Sequence, residues 1–273
     1  MRTIIKNAVL LWIVGVAGTQ AAERNPLNAT AVVDMGGFFL STDIRVRLDG
    51  QGGMVGDPID FEDTFGVDRF ERLRLDGLWR IKGKHSIRGT YFKNNRTATN
   101  ELSRDINFGD ETYPLGATTT ANWQLEVMQV SYDYAFKRSD KYELAVGAGV
   151  HMLRANLGLD ATISGAGESA TRELSESGST GAPLPVFGLR GIWQLPHDFY
   201  FTAQAQYFYI DYNEYKGSLS DLKTTIVWQA TPRFGVGLGY NDFRFRFDLD
   251  KQLFDGRLRW NYGGAMAFAS VTF

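Results

Sequence analysis

Residues 72–81 read RLRLDGLWRI, and the spacing of the apolar residues in this segment indicates its secondary structure. Apolar residues stand at most odd positions from Leu73 to Ile81, while arginines and Asp76 occupy most of the even ones. Wound as a helix, the stretch would spread its arginines over every side, whereas a strand separates the residues into two faces. The period of two therefore predicts a β-strand with one apolar and one charged side.

The same alternation runs from about Ala31 to the last residue. It recurs from Met128 to Phe136 and from Tyr142 to Met152, with apolar residues at even positions. Strand patterns bounded by polar connections mark separate strands. The prediction is about ten strands, at 31–48, 69–81, 85–95, 122–136, 141–154, 183–195, 199–212, 221–231, 234–249 and 257–273.

The connections between these strands alternate strictly between short and long. Short turns fall at 82–84, 137–140, 196–198 and 231–233, and longer polar links at 49–68, 96–121, 156–182, 213–220 and 250–256. Lipid offers no hydrogen-bond partner to an open sheet edge, so a membrane sheet must close. The pattern predicts an all-β fold, an antiparallel up-and-down transmembrane β-barrel of about ten strands, within a range of about eight to twelve.

Composition excludes several kinds of chemistry. The chain has 273 residues, no Cys and only three His, His85, His151 and His197. Thiol catalysis, disulfides and thiolate metal sites are therefore absent, and imidazole chemistry is sparse. A mean hydropathy of −0.23 argues against several membrane-spanning helices. We expect no cofactor and no metal.

The first residues have the pattern of an export signal. Arg2 and Lys6 precede an apolar run, which is followed by small residues that end at Ala22. The run is too short for a retained membrane anchor, the less favoured alternative. We predict a cleaved signal peptide over residues 1–22 and a barrel domain over 23–273. The mature chain would carry 27 basic and 31 acidic residues, a net charge of −4, and no nucleic-acid partner is expected.

Aromatic residues cluster at both ends of the predicted strands, as in the two girdles of a membrane barrel. Near the short turns these are Trp79, Phe136, Tyr142, Trp193, Phe199, Phe201, Trp228 and Phe234, and at the opposite end Tyr91, Trp123, Tyr207, Tyr209 and Trp260 or Tyr262. Alternation alone also fits a soluble lipocalin-like or sandwich protein of the periplasm, which would bury its aromatic residues.

The chain ends with AMAFASVTF, residues 265–273, with Phe273 at the carboxyl terminus. This stretch resembles the closing strand of Gram-negative outer-membrane proteins, and the mature chain is similar in architecture to the small OmpA- and OmpW-type barrels. The resemblance implies the cell outer membrane as location, contact with its lipids and lipopolysaccharide, and Phe273 as the signal read by the barrel-assembly machinery. It does not identify any further protein partner. Ten strands instead of eight, and no periplasmic peptidoglycan-binding domain, depart from the OmpA pattern.

Strand parity also predicts which polar side chains line the lumen. The predicted lining comprises Arg72, Arg74, Asp76, Arg80, Arg88, Gln129, Asp133, Glu143, His151, Arg190, Gln204, Gln206, Lys223 and Gln229. In a narrow barrel such side chains fill the lumen as paired, hydrogen-bonded networks. The alternative is a constricted, weakly anion-preferring path, made roomier by glycines on the same face.

Three functions fit this barrel. We predict a non-enzymatic outer-membrane protein, either a narrow solute channel or a structural protein of the envelope. The alternative is an enzyme with a rim active site that acts on lipid A or peptides. His151 alone among the histidines lies near the outer end, and no adjacent His-Asp or Ser-x-His pattern accompanies it.

Two charged regions lie toward the predicted outer side. The link 57–68 concentrates five carboxylates but lacks EF-hand spacing, which favours a solvated acidic loop over a calcium site. Four arginines alternate with apolar residues on the last two strands. They either face lipopolysaccharide phosphates or pair with neighbouring aspartates. They are Arg244, Arg246, Arg257 and Arg259.

Overall fold

The computed structural model describes residues 25–49, 54–60, 63–64, 69–108, 110–164, 171–212, 215–251 and 254–273. The predicted signal peptide, residues 1–22, lies outside them. Within the described residues no helix is both long enough and apolar enough to cross a membrane.

Ten long antiparallel strands form one closed sheet, which confirms the predicted up-and-down barrel. The sheet closes where β1 pairs with the last strand, from Val32 opposite Thr272 to Leu48 opposite Gly256. Three short strands, β2, β5 and β6, are additions to the ring. The strands are β1 (Ala31–Leu48), β2 (Ile59–Asp60), β3 (Arg69–Lys82), β4 (His85–Glu101), β5 (Ile106–Phe108), β6 (Glu111–Tyr113), β7 (Thr118–Arg138), β8 (Tyr142–Ser164), β9 (Thr171–Leu195), β10 (Phe199–Tyr212), β11 (Tyr215–Trp228), β12 (Phe234–Lys251) and β13 (Phe254–Thr272).

The outer ends of the strands extend further than the sequence predicts. The predicted link 156–182 is wrong, because β8 and β9 stay paired up to Ser164 opposite Thr171. Likewise β4 and β7 pair as far as Glu101 opposite Thr118, within the predicted link 96–121. Ser, Thr and Gly are frequent in these extensions, and backbone pairing needs no apolar alternation, although β8 keeps one from Leu157 to Ile163. The sheet therefore continues well beyond the ~10 residues per strand that cross a membrane.

The outward side chains in the half of each strand nearest the short turns, here called the lower half, form an apolar band. Val130, Val146, Leu189 and Leu238 are between 44% and 63% exposed, although each is large and apolar. A soluble protein would bury such residues, whereas lipid solvates them. This band agrees with the predicted lipid-facing parity on all four strands.

The upper aromatic girdle is only partly as predicted. Tyr207 and Tyr209 are exposed, but Trp123, Trp260 and Tyr262 are buried inside the barrel. The three stand at the parity of the lumen-facing residues on their strands, so they cannot reach the lipid interface. Their assignment to the girdle is therefore wrong.

The lipid-facing parity is testable by placing a charge in the apolar band. Val146→Arg is expected to lower the free energy of unfolding by about 2–4 kcal/mol, because it buries a cation in the hydrocarbon. The control is Asn156→Arg on the same strand and face, an exposed position beyond the band, with an expected change within about 0.5 kcal/mol. Urea unfolding in lipid vesicles measures both. Equal effects would contradict the assignment of the band.

Candidate functional site

The structure places the predicted lumen residues together inside the barrel. The backbone of Arg72 lies in β3, but its side chain is outside what the structure describes. Asp76 stands about half-way along β3. Its ion-pair partners in the interior are Arg74 and Lys223. The other residues have buried side chains: Arg74, Arg80, Arg88, Gln129, Asp133, Glu143, His151, Arg190, Gln204, Gln206, Lys223 and Gln229.

The lowest layer of the interior is an ion-pair cluster near the short turns. Arg190 donates to Asp133 at 3.0 Å and to Glu143 at 2.7 Å. Arg88 lies 3.3 Å from Asp133, and Arg80 lies 3.3 Å from Glu143. These five side chains come from β3, β4, β7, β8 and β9, so the cluster ties half of the ring together.

A second ion-pair cluster crosses the barrel above the first. Asp76 on β3 accepts hydrogen bonds from Arg74 at 2.8 Å and from Lys223 of β11 at 2.9 Å. Arg74 also donates to Asn241 of β12, and Asn241 in turn donates to Asp221 of β11. Since β3 is a neighbour of neither β11 nor β12, these bonds run directly through the lumen.

Amide side chains lie beside the second cluster, with Gln206 directly opposite Asp221 in the register of β10 and β11. Gln129 of β7 donates to the side-chain oxygen of Gln206 on β10 at 2.7 Å, and Gln206 donates to Ser131 at 3.2 Å. Nε2 of His151 lies 3.1 Å from the same oxygen of Gln206 and 3.9 Å from Asp221. His151 is 1% exposed. The histidine is thus a member of the buried network and not a rim residue.

Aromatic side chains fill the lumen above the polar layers. Phe243 stacks on Tyr262 with ring centroids 4.6 Å apart, and Tyr262 meets Phe38 and Phe92 edge-on at 5.8 Å and 5.5 Å. The Arg74 guanidinium lies 5.3 Å from the Phe38 ring, which joins this layer to the ion pairs below. The short strands contribute further apolar residues to the same cluster, among them Ile59, Ile106, Phe108 and Tyr113.

The segment before β1 closes the opposite mouth. Leu27 is 3% exposed and packs with Ile192 and Tyr200 inside the barrel. Arg80 donates to the backbone carbonyls of Pro26 and Ala29, each at 2.9 Å. The residues 25–30 therefore form a periplasmic cap, anchored by an arginine that also belongs to the lowest ion-pair cluster.

The lumen glycines make room for neighbouring side chains and do not widen a path for solutes. A Cβ atom on Gly147 would overlap the carboxylate of Asp133, and one on Gly149 would overlap the hydroxyl of Ser131. A cavity of about 80 Å³ remains among Asp34, Asp76 and Lys223, enough for a few water molecules. The interpretation that these glycines widen a channel is wrong, because the space they leave is occupied by neighbouring side chains.

Several members of the network are not among the residues predicted from the sequence. Asp221 and Asn241 stand at lumen parity on their strands, so that signal was present, but their partners lie on distant strands. Arg138, placed in a predicted turn, lies 3.4 Å from Glu143 and donates to the carbonyl of Leu27. Nothing in a single sequence places Leu27, which precedes the first strand, inside the barrel.

The acidic outer link does not converge on a metal site in the part that is described. Asp60 forms an ion pair with Arg45 at 2.8 Å, and Asp57 accepts a hydrogen bond from the backbone N–H of Asn107 at 2.8 Å. Among the described residues, no group of three or more His, Asp or Glu side chains is placed to hold a metal ion. Asp68 lies outside the described residues.

Solved structures share this architecture. The outer membrane protease OmpT from Escherichia coli matches 91% of this chain and 98% of its own length, with a TM-score of 0.59 and 13% identity. The chain has the fold of an outer-membrane β-barrel. At this identity the similarity to OmpT supports the barrel's fold and nothing about its role. No protein-family model and no curated protein matches the sequence.

Two further similarities are weaker. The toluene transporter TodX of Pseudomonas putida aligns with 89% of the barrel's chain and 90% of its own, at a TM-score of 0.37 and 9% identity. Ail of Yersinia pestis, solved with the heparin analogue sucrose octasulfate, aligns with 89% of this chain and 99% of its own. The TM-score is 0.34 and the sequence identity is 9%. At these TM-scores neither similarity bears on fold or role.

The lowest ion-pair cluster is testable through Asp133. Asp133→Ala is expected to cost about 3–5 kcal/mol of the free energy of unfolding, because it leaves the buried Arg88 unpaired and takes one partner from Arg190. Glu126→Ala is the control. It removes the partner of the exposed Arg154, 3.3 Å away, and should cost about 1 kcal/mol or less. Urea unfolding in lipid vesicles measures the free energy of unfolding of both variants. If both lose a similarly small amount, the cluster contributes little to stability.

Proposed function

We propose that this protein is an integral outer-membrane barrel with a closed lumen, and that its role is structural in the envelope. The main support for the proposal is the set of hydrogen bonds and ion pairs that cross the lumen between strands that are not neighbours in the ring. Arg74 to Asn241 and Lys223 to Asp76 each bridge strands that are not neighbours. A solute could not pass without breaking such bonds.

The closure has several layers in series. A permeating solute would meet the periplasmic cap, the lowest ion-pair cluster, the level that the second cluster shares with the amides, and the aromatic layer in turn. Opening one layer leaves the others in place. Each broken buried ion pair would expose an uncompensated charge to a largely dry interior, which is strongly unfavourable. This arrangement favours the structural role over the narrow solute channel.

A rim enzyme is less well supported than a structural role. The one histidine–carboxylate pair that the described lumen residues form is His151 with Asp221, whose side chains are 1% and 3% exposed. Phe243 lies beside the imidazole, with ring centroids 6.0 Å apart. A general base must come within hydrogen-bond distance of the group that it deprotonates. This pair has no room beside it for a lipid or a peptide.

The proposed location rests on the apolar band and on the closing seam. Phe273 is 37% exposed, and its backbone N–H donates to Ala31 at 2.8 Å. The last residue is thus both fixed to the first strand and presented at the periplasmic end. We propose that the assembly machinery binds Phe273, and that lipids and lipopolysaccharide surround the band after export by the signal peptide 1–22.

Conductance of the refolded protein in planar bilayers tests the closure. The wild-type protein should give no steps above the leakage of the bare bilayer, with a general porin as the positive control. Asp133→Ala should also remain silent, because the aromatic layer lies in series with the ion pairs. Stable open channels in the wild-type protein would overturn the proposal.

A second measurement separates the structural role from the enzyme. Lipid A extracted from cells with and without the protein should have identical mass spectra, and a panel of peptides should stay intact in contact with the purified barrel. A lipid A mass shift, or peptide cleavage abolished by His151→Gln, would favour the rim enzyme instead.

A further inference from the structure

Six arginines lie together on the outer surface of three adjacent strands. They stand on β12, β13 and β1, at the parity opposite to the buried lumen residues, so their side chains point away from the barrel. The seam that closes the barrel runs through the middle of this group. We call it the arginine patch: Arg45, Arg47, Arg244, Arg246, Arg257 and Arg259.

The registers bring like charges opposite each other. Arg45 pairs with Arg259 across β1 and β13, and Arg259 pairs with Arg246 across β13 and β12. Three guanidinium groups thus share one row, on strands about 4.8 Å apart. Like charges directly opposite each other in a sheet are destabilising, so the row needs a counterion.

Four members of the patch already have carboxylate partners. Arg45 lies 2.8 Å from Asp60, and this hydrogen bond raises the pKa of Arg45 above its usual value. Arg47 pairs with Asp49 at 2.9 Å and Arg244 with Asp242 at 3.2 Å, each two residues away along the chain. Arg257 lies 4.0 Å from Asp248, which stands directly opposite it on β12.

Arg246 and Arg259 differ from those four. The structure gives neither of them a hydrogen bond or ion pair with any described residue. The groups opposite Arg246 are Arg259 and the neutral Ser218, while those opposite Arg259 are both arginines. The nearest aspartate at this parity of β1, Asp43, stands one row below, opposite Asn261. Among the side chains that the structure describes, the centre of the patch is therefore cationic and has no neutralising partner.

The patch lies where the apolar band ends. On β12 the outward residues Leu238 and Tyr240 are 63% and 53% exposed, and the polar Asp242 and Arg244 follow. On β1 the band ends after Phe39. A tilted strand crosses the hydrocarbon in ~9–11 residues, and Arg246 follows the first residue of β12, Phe234, by 12 positions. Its guanidinium is therefore at the level of the outer headgroups.

We propose that Arg246 and Arg259 bind a phosphate group of the phosphorylated glycolipid in the outer leaflet, lipopolysaccharide. Arginine suits this ligand because its planar fork donates two parallel hydrogen bonds to phosphate oxygens. Two forks facing each other across one pair of strands provide four donors to a single phosphate. The acyl chains of the same lipid then lie along the apolar band directly below.

This proposal rests on the outer-membrane location and not on the closure of the lumen. A conducting barrel would leave the phosphate site unaffected, whereas a barrel without the site would still be closed. The conductance test and the binding test therefore fail independently.

Native mass spectrometry of the refolded barrel in detergent tests the site. The probes are bisphosphorylated lipid A, the same lipid A after dephosphorylation, and inorganic phosphate. The wild-type protein should retain bisphosphorylated lipid A. Its affinity for the dephosphorylated form should be lower by a factor of about ten or more, since charge-assisted bonds are lost. Inorganic phosphate should not displace the lipid at equal concentration, because it lacks the acyl chains.

The double variant R246Q/R259Q should lose the preference for the phosphorylated lipid. The matched control is R154Q on β8, which removes an exposed arginine that follows its strand's first residue, Tyr142, by the same 12 positions but is paired with Glu126. R154Q should keep the preference. The variant R246K/R259K, which keeps the charges and loses the forks, should bind with intermediate affinity.

The two results that would overturn the proposal are equal binding of phosphorylated and dephosphorylated lipid A by the wild-type protein, and equal loss of binding in R154Q and R246Q/R259Q. A faster electrophoretic mobility before boiling shows that each variant is folded. If the double variant does not fold, the comparison of the two lipids on the wild-type protein still decides.

Discussion

The structure depends on one constraint, that lipid cannot hydrogen-bond to a peptide group. Every strand must therefore have two neighbours, and the first and last strands must pair with each other. Ten strands closed in this way enclose a cylinder only a few side chains wide. Any charged residue that points inward must find its partner across that narrow space, and most of the interior architecture follows from this geometry.

The interior is graded along its length. Ion pairs occupy the part nearest the periplasmic cap, ion pairs and amides share the level above it, and aromatic rings fill the part toward the outer loops. Arg74 joins two of these regions, since one face of its guanidinium lies over Phe38 while its nitrogens donate to Asp76 and Asn241. A buried arginine shared in this way is satisfied on all sides, which is the condition under which an interior charge is tolerated.

The sequence predicted the lower half of the barrel well and the upper half poorly. Below, lipid on one side and a polar lumen on the other impose strict alternation, so Val146 and Glu143 are assigned correctly from parity. Above, water lies on the outer side, the strands contain more Ser, Gly and Thr, and the apolar alternation becomes irregular, although β8 keeps it from Leu157 to Ile163. Partners across the lumen, such as His151 and Asp221, depend on strand tilt and stagger, which a single sequence does not contain.

The seam between β1 and β13 also governs how the protein can be made. Its two halves are the first and the last strand of the barrel, so β1 has no partner for this ladder until β13 has been made and exported. Any sheet that formed without β13 would have two unpaired edges of the kind that drive aggregation. A newly made chain must therefore be escorted across the periplasm in an unfolded state, and no fragment of it can serve as an independently folding unit.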